Sequence, residues 1–154
     1  MEQKIKDIAF IINEKIISTS LSNENYISTE NILPYYKGVL PASSIPNGKV
    51  TGFKPGDTLL SNIRPYFRKL WFANFTGGCS NDVFVIRAVS KKILNKYLYY
   101  ALCNDRFINY YVASCKGTKM PRGNKDALLD WEIDIPGMQI QQHIVNNTTR
   151  EFYD

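Results

Sequence analysis

Histidine is almost absent from this sequence and cysteine is sparse. His143 stands alone, and Cys79, Cys103 and Cys115 are widely spaced with no C-x-x-C pair. A zinc site needs about four ligands at tight spacing, so no metal site is expected and the thiols read as reduced packing residues. No run of about 18 apolar residues occurs, and no charged, apolar and small-residue leader opens the chain. Membrane spanning and secretion are therefore not expected, and the cytoplasm is the default compartment. Catalytic signatures are missing too. There is no G-x-S-x-G, no Walker spacing of glycines followed by Lys and Ser or Thr, and no nucleophile pattern around His143. Leu33-Pro34-Tyr35-Tyr36 resembles the Pro-aromatic turn of amino-methyltransferases, but Leu33 stands where Asn, Asp or Ser is required. Asp130, Glu132 and Asp134 alternate with no lysine in the ten residues that follow and suit a solvated strand face better than a metal nuclease. No catalytic residue and no cofactor is assigned, and the chain reads as a binding module.

Acidic residues are scarce in one region only. From Thr58 to Lys125 twelve cations face two acids, Asp82 and Asp105, a net charge of +10 in a chain whose total is +5. The segment after it is acidic, with Asp126, Asp130, Glu132, Asp134, Glu151 and Asp154 against Arg150. Local charge sets field strength, so this segregation suits a polyanion-binding face; a solvated basic surface is the plainer alternative. With 154 residues, 44% hydrophobic and 13% aromatic, the chain has the size of one domain and can bury a core.

The first residues place Ile5, Ile8, Ala9, Ile12 and Ile16 at helical spacing, predicting a short amphipathic helix over 2–17, with a strand over 9–12 as the alternative. Tyr26 to Thr29 reads as a strand and Glu30-Asn31 as a turn. Residues 34–55 carry Pro or Gly every few positions, which excludes a helix. This stretch is either a functional loop offering Tyr35, Tyr36, Lys37, Ser43, Ser44, Asn47 and Lys49, or a pair of hairpins over 39–45 and 49–53.

Leu59-Leu60 and Leu70-Trp71-Phe72 read as buried strands. Between them SNIRPYFRK sets Asn62, Arg64, Arg68 and Lys69 beside Tyr66 and Phe67, with Pro65 stiffening the turn. Cations beside aromatics on a turn suit phosphate and base contacts. Thr76-Gly77-Gly78 reads as the turn closing the next strand pair, and Val83, Val85 against Phe84, Ile86 as a two-faced strand. Residues 90–111 form the clearest helical tract, broken at Asn104-Asp105. In KGTKMPRGNK, Lys116, Thr118, Lys119, Arg122 and Lys125 surround Gly117, Pro121 and Gly123, a composition suited to gripping phosphate. A short helix over 127–130, a strand at Trp131, Ile133 and Ile135, and a helix from Met138 complete the chain.

These segments also carry a resemblance. GDTLLSNIRPYFRKLWFA with GGCSNDVFVI, YISTENI, KGTKMPRGNK and DIPGMQIQQHI stand in one order across nearly the whole chain. Together they resemble the target recognition domain of Type I restriction-modification specificity subunits (HsdS). The resemblance implies an α+β fold with a strongly bent, partly β-helical or barrel-like sheet, residues 1–137 forming the recognition domain and 138–154 the start of a connecting helix. It implies a non-catalytic subunit that reads one half of a bipartite target in double-stranded DNA and partners modification and restriction subunits. A non-catalytic module that binds a modification subunit without reading DNA is the rival.

On this resemblance Arg64, Arg68, Lys69, Lys116, Thr118, Lys119, Arg122 and Lys125 position phosphate or the scaffold, because a motif shared by members with different targets does not itself specify bases. Base reading falls to Tyr35, Tyr36, Lys37, Ser43, Ser44, Asn47 and Lys49, with Asn62 and Tyr66 outside them. For Arg64 an internal bond to Asp57 or Asp82 is the alternative. Full subunits of this family carry two such domains joined by long helices. The short final helix favours an excised domain, whereas a half-subunit would pair as a homodimer on a symmetric, interrupted site.

Overall fold

The structure is a computed structural model describing residues 1–115 and 121–153, with side chains in the last helix described to residue 148. The chain runs β1 (Glu2–Lys4), α1 (Ile5–Ile8), β2 (Ala9–Ile11), β3 (Lys15–Ile17), β4 (Tyr26–Ile27), β5 (Lys49–Phe53), β6 (Thr58–Ser61), β7 (Leu70–Phe72), β8 (Gly77–Cys79) and β9 (Val83–Ala88). Helices α2 (Asn95–Leu102), α3 (Asp105–Ala113) and α4 (Lys125–Asp130) follow, then β10 (Glu132–Asp134) and α5 (Met138–Tyr153). The architecture is α+β. One four-stranded sheet has the order β2-β9-β6-β7, a second β3-β5-β8-β4, and β1 pairs with β10. Neither four-stranded sheet closes into a barrel, so the barrel-like part of the expectation gives way to two open sheets joined by loops.

The alternating pattern of the central strands explains the layering. Leu59, Trp71, Val83 and Val85 point into one core with Ile27, Phe53 and Cys79. Their neighbours Leu60, Leu70 and Ile86 point to the opposite face and meet α1, α2 and α3 through Ile5, Leu98 and Phe107. Strands β6, β7 and β9 thus serve two cores, as a period of two residues allows, while edge strand β2 packs Ala9 and Ile11 on one face and leaves Phe10 exposed. The helical tract breaks where expected: Asn104 is the N-cap of α3, its side chain accepting from Phe107 N at 2.8 Å.

Three expectations are corrected. The N-terminal helix is a single turn, and Ala9–Ile11 is the alternative strand, paired antiparallel with β9. Pairing with a buried strand overrode a weak helical period. Gly77 and Gly78 are not a turn but sit in β8, between β5 and β4. A Cβ on Gly78 would lie 2.7 Å from Leu21 and 2.9 Å from Val50, so glycine here permits close packing rather than a bend. Of the two proposed hairpins, residues 49–53 do form β5, but 39–45 forms no strand and keeps a lone bridge between Ile32 and Val39. The repeated prolines in this stretch remove ladder donors.

Candidate nucleic-acid interface

The turn between β6 and β7 is built on an unusual backbone. Pro65–Phe67 forms one 3₁₀ turn, and both flanking residues are left-handed, Arg64 at φ 48° and Arg68 at φ 57°. Among the described residues, four non-glycine residues have positive φ: Tyr35, Tyr36, Arg64 and Arg68. They belong to one corner. Tyr35 N donates to Phe67 O at 3.1 Å and Tyr36 N to Arg68 O at 3.3 Å. A third segment joins from the other side, where Arg64 N donates to Pro121 O at 2.8 Å and Gly123 N to Asn62 O at 3.2 Å. Three stretches separated by about thirty to fifty residues are thereby stitched together through backbone bonds.

The cations at this corner have distinct surroundings. Arg68 is half-buried and paired with Asp105, whose hydrogen bond holds the guanidinium's pKa above its ordinary value. Lys69 Nζ donates to Thr29 O at 3.0 Å, and burial pulls its pKa down. Arg122 Nε lies 3.4 Å from Asp82 Oδ1, with both side chains about half exposed. Arg64 is exposed and makes no ion pair among the described residues, because Asp57 is taken by Arg87 and Asp82 by Arg122. The internal-bond alternative for Arg64 is therefore not what forms. Around these cations stand exposed aromatics: Tyr35 at 58%, Tyr66 at 43% and Phe67 at 38%. The Tyr66 and Phe67 ring centroids lie 4.9 Å apart. Exposed rings can stack on bases, and an exposed guanidinium such as that of Arg64 beside them can hold a phosphate.

The other anticipated residues are placed less uniformly. Lys37 is exposed beside Tyr36, lining a cavity of about 370 Å³ with Trp71, Phe72 and Lys96. Ser43 and Ser44 are exposed in a groove of about 300 Å³ that shares Thr29 and Glu30 with the small groove containing Arg64 and Lys69. Asn47 and Lys49 are exposed at the start of β5, where Lys49 pairs with Ile17, away from the backbone bonds of the turn. Asn62 is half-buried and its Oδ1 accepts from the Tyr111 hydroxyl at 2.7 Å, a structural task. Lys125 is exposed at the first turn of α4, behind the N-cap Asn124. Lys116, Thr118 and Lys119 lie outside the described residues. Thr29 and Glu30 were read only as strand end and turn; nothing local marks them, since what brings them to the corner is the Lys69 bond. Phe67 lies within the turn motif, and its place beside Pro65 and two arginines was the available signal for its exposure.

Open sheets flanked by helices, with the basic turn where three loops meet, make up a fold that this chain shares with solved specificity subunits. The HsdS subunit from Thermoanaerobacter tengcongensis superposes with a TM-score of 0.76 at 18% identity, over 97% of this chain and 41% of that one. The Type-I restriction-modification system S subunit from M. genitalium gives 0.65 at 17% identity, over 97% and 38%. The chain belongs to the family described as Type I restriction modification DNA specificity domain, which matches residues 1–147. It is also 28% identical over 100 residues to the Type I restriction enzyme EcoDI specificity subunit of Escherichia coli, covering 65% of this chain and 22% of that subunit. The chain thus spans about a fifth of the length of that curated relative and about two fifths of the solved ones. Among the described residues no helix is long and apolar enough to cross a membrane.

Proposed function

We propose that this chain reads one half of a bipartite, interrupted target in double-stranded DNA, and so directs methylation and cleavage carried out by partner modification and restriction subunits. Residues 1–137 are the target recognition domain and 138–154 the start of a connecting helix. The chain contributes recognition, and the chemistry belongs to its partners.

One observation carries the reading. The four left-handed non-glycine residues are two arginines and two tyrosines at a single corner. Left-handed backbone costs about 1–2 kcal/mol in any residue with a Cβ, and glycine would avoid most of that cost. Retaining Arg and Tyr in such positions is the signature of side chains kept for what they touch. Arg64, with Arg122, Lys125 and, in the KGTKMPRGNK motif, Lys116, Thr118 and Lys119, positions phosphates; Arg68 and Lys69 hold the corner together while adding positive field. Tyr35, Lys37, Ser43, Ser44 and Tyr66 are exposed groups available for base edges, and Asn47 and Lys49 are exposed as well.

The test is binding to random-sequence duplex DNA at several salt concentrations, followed by selection and sequencing of the retained fraction. A short enriched motif with affinity falling steeply in salt is expected. Weak binding without a motif, persisting after modification subunits are added, would replace this reading with that of a protein-interaction module.

A further inference from the structure

Helix α5 meets the rest of the protein through one buried polar side chain as well as apolar ones. Gln141 is 0% exposed, while Met138, Gln139, Ile140, Gln142 and His143 around it are all exposed. Its Oε1 accepts from Leu94 N at 2.9 Å, and its Nε2 donates to Lys92 O at 2.7 Å and to Pro136 O at 2.8 Å. Both amide hydrogens and the carbonyl are therefore satisfied, all by backbone. Leu94 is the N-cap of α2, which has no side-chain cap of its own. One amide thus ties together the end of the segment after β10, the first turn of α5 and the approach to α2.

Further along α5, Ile144 and Val145 contribute apolar contacts to the core. Such contacts are non-directional and permit a helix to roll or slide. Three hydrogen bonds of good length to three separate backbone groups do not. Gly137, next to Pro136, is exposed and a Cβ there would meet nothing within 4 Å, so no packing at this residue restrains the helix. We infer that Gln141 is a positioning residue that fixes the direction in which α5 runs from the recognition domain. This goes beyond DNA reading and stands whether or not the chain reads DNA. If it does, the reading corner is held at a set angle to whatever α5 carries.

The experiment uses the full chain with spin labels on non-natural residues at Lys54 and Asn146, both exposed, and measures their distance distribution. Wild type should give one narrow distance. Gln141→Met keeps the side-chain volume but none of the bonds, and should raise the undocked population about tenfold or more. Ile144→Ala should lower stability without broadening the distribution. A distribution as narrow in Gln141→Met as in wild type would overturn the inference. Should that variant fail to fold, amide exchange on wild type decides: the Leu94 and Val145 amides should open together, and clearly separate protection would overturn it. DNA selection on the same variants separates the two readings, since half-site preference is expected to survive in Gln141→Met.

Discussion

Gly123→Ala tests whether the recognition corner is built as described. Gly123 takes no left-handed backbone; its constraint is proximity, because an added Cβ would overlap the Tyr111 ring. Tyr111 has nowhere to go. It is 0% exposed, its ring stacks on Phe107 at 5.5 Å, and its hydroxyl donates to Asn62 Oδ1 at 2.7 Å. Burial pushes its hydroxyl pKa well up, so it stays a protonated donor across the working pH range. Overpacking of a tight core costs about 1–3 kcal/mol, and losing one buried hydrogen bond adds about 1 kcal/mol. The expected loss is about 2–4 kcal/mol, or a fall in Tm of roughly 5–15 °C for a domain of this size. Because Gly123 N and Arg64 N both anchor the turn, DNA affinity should fall at temperatures where the variant is still folded. Thermal and denaturant unfolding measure the first effect, and a salt-dependent binding series the second. Tyr111→Phe keeps the ring and strands Asn62 Oδ1, so the double variant should lose less than the sum of the singles. A Gly123→Ala protein within about 0.5 kcal/mol of wild type would refute the close approach of Gly123 to the Tyr111 ring of α3.

Three other outcomes are expected. Arg64→Gly should relieve left-handed strain and leave stability unchanged or raised by about 0.5–1 kcal/mol, while weakening DNA binding across all sequences and lowering the salt slope by about one unit; an unchanged slope would remove Arg64 from the interface. Asp57, 1% exposed, accepts from Arg87 at 2.7 and 2.8 Å and from Lys54 N at 2.9 Å. Asp57→Ala and Arg87→Ala should each cost about 2–4 kcal/mol in chemical unfolding, with the double costing less than their sum; strict additivity would contradict the pairing. Burial pushes the Cys79 and Cys103 thiols up to about 12. At pH 8 about one in ten thousand would then be thiolate, so buried Cys79 and half-buried Cys103 should both resist iodoacetamide until the chain is unfolded, and fast native labelling would count against the raised thiol pKa.

Local physics was enough for much of this protein. The two-residue alternation in Leu59-Leu60, Trp71-Phe72 and Val83 to Ile86 determined strands with two apolar faces, and the helical spacing with Asn104 determined α2 and α3 and the break between them. The turn at Arg64-Pro65 was also legible, since proline and its neighbours restrict their own backbone. Tertiary structure decided whatever depends on a partner far away in the chain. Ala9–Ile11 became a strand because β9 offered it an edge, and Gly77-Gly78 became a strand because β4 and β5 approach too closely for a Cβ. Tyr35, Arg64 and Pro121 share one corner through backbone bonds that no local pattern encodes. Gln141 looks like any polar helix residue until three carbonyl and amide groups from elsewhere close around it. Periodicity and φ preference act within a few residues, whereas which distant backbone group satisfies a buried donor is settled only when the whole core assembles.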